Sequence, residues 1–112
     1  MSNQSTEITT MRRAARIDEN QPGIVNALRS IGASVQTLHD VGDGCPDLLV
    51  GWQGRNYLIE VKNPAKPNSD QRLTPEQDRW HIEWRGGVSV ARTVEDALAA
   101  IGAMPVANPA IP

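Results

Sequence analysis

Apolar residues recur along the chain with two different periods. Spacings of three or four residues, which place side chains on one face of a helix, define three segments: 18–31, 74–85 and 93–101. Short apolar runs bounded by glycine, proline or polar residues are typical of strands and define four more: 33–38, 48–50, 57–59 and 88–91. A turn at 53–54 would extend the middle two strands to Trp52 and Arg55. The pattern predicts the order α-β-β-β-α-β-α, an α/β fold in which helices flank a mixed sheet.

The second and third predicted strands are separated by only two residues, Gln53 and Gly54. Glycine accepts the positive φ that such short turns need, so we expect a tight hairpin. Counting back from this turn places Asp47 directly opposite Glu60, with their Cβ atoms roughly 5 Å apart. Lys62 points the same way as Glu60, because residues two apart on a strand share a face. The hairpin therefore predicts a cluster of two carboxylates and a lysine.

This cluster has a chemical interpretation and a structural one. Two facing carboxylates repel unless a proton or a cation lies between them. Oxygen ligands without Cys or His favour Mg²⁺ or Mn²⁺, and a neighbouring lysine can bind a phosphate or orient a water, which together indicate phosphoester hydrolysis. Alternatively, Asp47 only begins a strand, and Glu60 and Lys62 form a solvated pair on an edge strand.

The residues around the cluster resemble a known nuclease motif. Pro46-Asp47 followed by Glu60-Val61-Lys62 is similar to the PD-(D/E)XK motif. Residues 44–51 (GCPDLLVG) and 73–80 (LTPEQDRW) resemble its VRR-NUC branch, in particular small stand-alone nuclease domains of phages and prophages. The resemblance spans about Asp18 to Ile101. It implies a restriction-endonuclease-like fold and a DNA endonuclease that depends on Mg²⁺ or Mn²⁺.

The resemblance also implies a role for each residue of the motif. Asp47 and Glu60 would hold the metal together with the carbonyl of Val61. Lys62 would orient the attacking water or offset charge on the phosphate. Gln77 would position the water or the surroundings of the metal. The predicted catalytic residues are Asp47, Glu60, Lys62 and Gln77.

The helix that carries Gln77 is open to other interpretations. Gln77 follows Thr74 by three residues, which is the spacing of a capping box. One side chain is expected to serve either the cap or the metal site, and both alternatives stay open. Trp80 and Trp84 lie on the same side of the helix. They are expected in the core because the chain has no Phe, and base stacking is the alternative.

The start of the first helix offers further acidic candidates. The resemblance places an acidic residue on this helix near the metal, and Asp18 and Glu19 are available. Gln21 stands where related phage sequences carry Glu. The alternative is that these residues only cap the helix.

The loop before Asp47 holds three more polar candidates and the single cysteine. His39 is a candidate general base, and Asp40 or Asp43 a candidate metal ligand; each is otherwise an ordinary loop residue. Cys45 excludes an internal disulfide and is expected to be a small packed residue rather than a reactive thiol.

Composition modifies this interpretation only slightly. A net charge of −2 with 21% charged residues is not typical of a strongly basic nucleic-acid binder. A divalent cation and a local basic rim would compensate. The candidate rim residues are Arg12, Arg13, Arg16, Lys62, Lys66, Arg72, Arg79 and Arg85. Lys66 and Arg72 lie in a predicted mobile loop after the motif and are expected to contact nucleic acid.

The predicted organisation is a flexible arm at 1–17, one nuclease domain at 18–102 and a flexible tail at 103–112. No signal peptide and no apolar run near 18 residues is recognised, so we expect a cytoplasmic protein, in a bacterial host if a phage or prophage encodes it.

No recognition helix is evident, so the expected substrate is branched or junction DNA rather than a specific sequence. A homodimer would suit the symmetric cutting of a junction. The alternatives are a catalytically inactive nucleic-acid- or protein-binding module on the same fold, and a small structural phage protein.

Overall fold

The computed structural model of the protein describes residues 17–103. Its elements are α1 (Gln21–Ser30), β1 (Ser34–Thr37), β2 (Leu48–Trp52), β3 (Arg55–Val61), α2 (Asn68–Gln71), α3 (Pro75–Glu83), β4 (Ser89–Ala91) and α4 (Val94–Ala100). They follow the predicted order, and α2 is an additional one-turn helix. Apart from Ile17 and Ala103, the predicted arm and tail lie outside the described residues.

The four strands form one mixed sheet in the spatial order β1-β2-β3-β4. The first two pairs are antiparallel, and β3 pairs with β4 in parallel. The parallel pair needs a crossover, which the chain makes through α2 and α3. The predicted mixed sheet flanked by helices is confirmed. The strand β3, which carries the motif glutamate, is an interior strand with neighbours on both sides.

The hairpin between β2 and β3 has the register that its two-residue turn predicts. Trp52 pairs with Arg55, and the pairing continues to Leu48 opposite Ile59. Gln53 and Gly54 both have positive φ, 50° and 79°, as a tight turn of this kind requires. Because no residue is inserted along the hairpin, the side chains just beyond its last pair are also in register.

The hydrophobic core lies between one face of the sheet and the helices α1 and α4. It consists of Ile24, Val25, Leu28, Ala33, Leu48, Val50, Ile59, Val61, Ala91, Ala97 and Ile101. Alternate residues of β2 and β3 supply the sheet side, as expected for strands with one face on the core. None of the helices in the described part of the chain is long and apolar enough to cross a membrane.

The helix α3 is not part of this core. It has no buried residue, and Trp84 is 48% exposed. The prediction that Trp80 and Trp84 fill the core is therefore wrong. Aliphatic residues of the sheet, α1 and α4 fill it instead, and Trp52 and Tyr57 pack at its margin.

A close backbone contact fixes the start of α3 against the loop before β2. Gly44 has a φ of +83°, and a Cβ at this position would overlap the carbonyl oxygen of Glu76. Only glycine combines this conformation with this contact. The contact brings the first turn of α3 beside the open end of the hairpin, where the candidate residues lie.

Candidate active site

The predicted cluster forms at the end of the hairpin, on the sheet face opposite the core. Asp47 directly precedes β2, and Glu60 is the second-last residue of β3. The Asp47 side chain continues the strand pairing, because its Oδ2 accepts a hydrogen bond of 2.7 Å from the backbone N–H of Val61. Asp47 is thereby fixed beside Glu60.

Glu60, Gln77 and Lys62 form a connected polar chain next to Asp47. The Nε2 of Gln77 donates to Oε2 of Glu60 at 2.9 Å. The Nζ of Lys62 donates to Oε1 of Gln77 at 2.7 Å and lies 3.8 Å from Oε2 of Glu60. The structure therefore brings all four predicted catalytic side chains together.

This arrangement rules out the solvated edge-strand interpretation of the motif. Glu60 is 2% exposed and Lys62 is 6% exposed, and both belong to an interior strand or its immediate end. Burying a carboxyl group beside an ammonium group in this way costs desolvation energy, which is offset only by good hydrogen bonding or by a proton or cation that neutralises the carboxylate.

Gln77 serves both the helix cap and the site, so the expectation that it does only one is wrong. The Thr74 hydroxyl accepts from the backbone N–H of Gln77 at 3.2 Å, and Oε1 of Gln77 accepts from the backbone N–H of Thr74 at 2.9 Å. The same Oε1 also accepts from Lys62, while the amide nitrogen donates to Glu60. A carbonyl oxygen has two lone pairs, which makes this double use possible.

The carboxylates of Asp47 and Glu60 are strongly perturbed. The pKa of Glu60 is raised to about 9, first by burial, then by the Asp47 charge and a hydrogen bond between the two groups, against the lowering effect of Lys62. The pKa of Asp47 is also raised, mainly by burial and against the hydrogen bond from Val61. The pair therefore favours a shared proton or a bound cation over two free negative charges.

The residues present fit a hard divalent cation. Oε1 of Glu60 is buried and accepts no hydrogen bond from any backbone or side-chain N–H group of residues 17–103, and it lies beside a second carboxylate whose pKa is raised. No three or more Asp, Glu, His or Cys side chains converge on a metal position within residues 17–103. Asp47 and Glu60 would thus share the cation with neutral ligands such as water, since Mg²⁺ usually retains several water molecules. That the Val61 carbonyl is a further ligand stays a prediction.

Of the first-helix candidates, Asp18 lies near the pair. Its charge raises the pKa of both Asp47 and Glu60. Gln21 is buried and Glu19 is exposed. Asn20 stands at the N-cap of α1 but makes no capping hydrogen bond, and its Nδ2 donates to the carbonyls of Lys62 and Arg92 at 3.0 Å. Asn20 thus ties α1 to the ends of β3 and β4, a role that the sequence did not reveal.

The loop candidates have less direct relations to the pair. His39 lies 3.5 Å from Asp40, whose side chain is 85% exposed. Asp43 adopts a positive φ of 57° in the turn. Burial, followed by the charges of Glu60 and Asp47, raises the pKa of the Cys45 thiol, which disfavours a reactive thiolate. No hydrogen bond or ion pair in the described part of the chain joins any of these residues to the carboxylate pair.

One residue near the site was not predicted to have a role. His81 follows Gln77 by one helical turn, and burial together with the Lys62 charge lowers its pKa, while Asp78 raises it. The spacing of four residues between Gln77 and His81 was the available signal in the sequence.

The basic residues predicted to contact nucleic acid lie in the segment that contains α2. Its backbone is held by Gln71, whose Nε2 donates to the carbonyl of Lys66 at 2.8 Å, and Arg92 donates to Gln71. Lys66 is half-buried and Arg72 is exposed. Their contacts with nucleic acid stay predictions.

Comparison with known proteins supports the fold. No family model matches the sequence. A solved structure titled "VRR_NUC domain" superposes with a TM-score of 0.53 at 24% identity, covering 72% of this chain and 88% of that one. The chain therefore has a VRR-NUC-like, restriction-endonuclease-like fold, as the sequence motif predicted.

We predict that the metal-free protein loses stability as the pH rises from 7 to 9. In this window the folded state retains the Glu60 proton, since its pKa is about 9, and the unfolded state does not, since the usual value is 4.5. A difference of one bound proton between the folded and unfolded states lowers the free energy of unfolding by up to about 1.4 kcal/mol per pH unit. Urea unfolding in EDTA at several pH values measures the slope.

Glu60→Gln should flatten this dependence because it removes the titrating group. Glu83→Gln is the matched control, since Glu83 is exposed at the end of α3 and its variant should keep the wild-type slope. A wild-type stability that does not change between pH 7 and 9 would contradict the buried protonated glutamate.

Proposed function

We propose that this protein is a DNA endonuclease that depends on Mg²⁺ or Mn²⁺. The observation that carries the proposal is the buried pair of Asp47 and Glu60, linked through Gln77 to Lys62. The VRR-NUC-like fold supports a nuclease, because the related structure is titled for that domain. In such a site Asp47, Glu60 and the Val61 carbonyl would hold the cation.

The bound cation would supply positive charge against the phosphate and make a nearby water more acidic. In the reaction the water oxygen bonds to phosphorus as the bond from phosphorus to the leaving nucleoside oxygen breaks, while the water gives a proton to solvent and the leaving oxygen takes one up from solvent. Lys62 has three N–H donors and uses one on Gln77 at 2.7 Å. Its remaining donors would bind a phosphate oxygen or orient the attacking water.

Gln77 would act as a positioning residue. It accepts from Lys62 and donates to Glu60, so it sets the distance between the cation-binding carboxylate and the ammonium group. The backbone N–H of Thr74, which donates to Oε1 of Gln77, in turn holds the Gln77 side chain in place. This preorganisation would spare the site from rearranging when the substrate binds.

We further propose that the substrate is branched or junction DNA, cut in the cytoplasm of a bacterial host. The support is the absence of a long basic helix in the described part of the chain, together with the motif's resemblance to phage and prophage domains. Two symmetric cuts in a junction need two sites, so a homodimer is the proposed active form.

A catalytically inactive binding module is the second candidate. It is favoured by Gln21, which is buried at a position where the resemblance suggests an acidic residue, and by the net charge of −2. It predicts neither cation binding nor cleavage.

We predict that Asp47→Asn and Lys62→Met each lower metal-dependent DNA cleavage by at least about 100-fold. The first removes a cation ligand, and the second removes the charge next to the phosphate. The assay compares a four-way junction, a flap and a linear duplex in Mn²⁺ and in EDTA. Circular dichroism checks that each variant is folded.

Glu76→Gln is the matched control for these variants, because Glu76 is an exposed acid one residue before Gln77. Its cleavage rate should equal the wild-type rate. Undiminished metal-dependent cleavage by Asp47→Asn would overturn the assignment. Absence of cleavage and of Mn²⁺ binding in the wild type would favour the binding module.

We predict that the two roles of Gln77 can be separated by mutation. Thr74→Ala breaks the cap and should cost about 1 kcal/mol of stability, with cleavage by the folded protein nearly unchanged. Gln77→Ala breaks the cap as well but also releases Lys62 and Glu60, so cleavage should fall about 10- to 100-fold further. Urea unfolding and cleavage assays on both variants measure the two effects. Equal cleavage by the two variants would show that Gln77 acts only as a cap residue.

A further inference from the structure

The outer helix α3 and the residue that directly follows it carry two aromatic side chains, Trp80 and Trp84, that do not belong to the core. The rings of Trp80 and Trp84 stack with centroids 4.6 Å apart and an interplanar angle of 17°. Trp84 is 48% exposed, and the helix buries no residue. A large exposed aromatic surface on a small domain is typical of a binding site.

These tryptophans line a cleft of about 660 Å³ between α3 and the sheet. The floor of this cleft is apolar and includes Leu49 of β2 and Leu58 of β3, and Asn56 contributes an amide. We call it the tryptophan cleft. An apolar, partly aromatic cleft with a single amide suits a flat ring that carries hydrogen-bonding groups at its edge.

The tryptophan cleft adjoins the candidate active site on the same sheet face. Leu49 and Leu58 are cross-strand partners. Leu49 follows Asp47 by two residues and Leu58 precedes Glu60 by two residues, so the two pairs lie side by side, about 6.6 Å apart along the strands. Cys45 also lines the cleft and precedes Asp47 by only two residues. A strand held by its phosphate at the carboxylates thus places a neighbouring nucleotide at the cleft.

We propose that the tryptophan cleft binds one unpaired nucleobase next to the phosphate that is cleaved. The base stacks on Trp84, and the Asn56 amide meets its hydrogen-bonding edge. A base held in a duplex cannot enter the cleft, because its hydrogen-bonding edge is paired and both of its faces are stacked on neighbouring bases. The cleft therefore selects flaps, loops and strand-exchange points over continuous duplex. This proposal deepens the nuclease function proposed above and rests on it for the position of the phosphate.

The test uses binding without cleavage, so that it does not depend on catalysis. Dye-labelled single-stranded oligonucleotides and the corresponding duplex are titrated with protein in EDTA, and anisotropy gives the affinities. The single strand should bind more tightly than the duplex. Trp84→Ala should weaken single-strand binding by at least about fivefold, and Trp84→Phe, which keeps an aromatic ring, should retain most of it.

Ile82→Ala is the matched control, because Ile82 is a 74% exposed apolar residue of the same helix that does not line the cleft. Its affinity for the single strand should equal that of the wild type. This control separates loss of stacking from a general loss of apolar surface on α3.

A second arm places a single abasic nucleotide at successive positions of the oligonucleotide. At one position the abasic nucleotide should weaken binding to the wild type but not to Trp84→Ala. That position identifies the base that the cleft holds. Equal binding of single strand and duplex, or an abasic effect that persists in Trp84→Ala, would overturn the proposal. A dimer that Trp84→Ala converts to monomer, with DNA binding unchanged, would show that the cleft binds a second copy and would also overturn it.

These outcomes are distinct from a failure of the nuclease function. A protein that binds the single strand through Trp84 but cleaves no DNA in Mn²⁺ retains the base-binding cleft and lacks catalysis. A protein that cleaves DNA, while Trp84→Ala has wild-type affinity, retains catalysis and lacks the base-binding cleft.

Discussion

The fold buries two facing carboxyl groups, Asp47 and Glu60, and the side chains around them compensate for this burial. Ionised together in an environment of low dielectric, they would destabilise the fold. The structure compensates with one hydrogen bond from the Val61 backbone, one from the Gln77 amide and the nearby charge of Lys62. These contacts do not fully offset the burial of Glu60 and the nearby charge of Asp47, so the pKa of Glu60 is raised to about 9 and the pair has affinity for a proton or a cation.

Each element around the pair has a role in maintaining this arrangement. The two-residue turn sets the register that makes the carboxylates neighbours, and α1 and α4 bury the opposite face of the sheet. Gly44 lets the backbone of α3 approach the loop closely enough for Gln77 to reach Glu60. The helix α3 is thus attached mainly through polar contacts at its start, and its tryptophans are left to line a cleft rather than the core.

The sequence was sufficient for the features that local geometry determines. A hairpin with a two-residue turn has only one register, so the position of Glu60 next to Asp47 could be counted from Gln53 and Gly54. It was not sufficient for features that depend on tertiary contacts. Helical spacing shows that Trp80 and Trp84 share a face, but not whether another layer covers that face. The capping box around Gln77 was recognisable, yet its second set of partners depends on how closely α3 approaches β3.

In the proposed cation site, Glu60 holds a proton that a divalent cation displaces. Calorimetric titration with Mn²⁺ at pH 7, in two buffers with different enthalpies of ionisation, measures both cation binding and proton release. We predict binding with release of about one proton per cation, and no such release in Glu60→Gln. Binding without proton release would mean that the pair is already ionised, and an absence of binding would contradict the cation site itself.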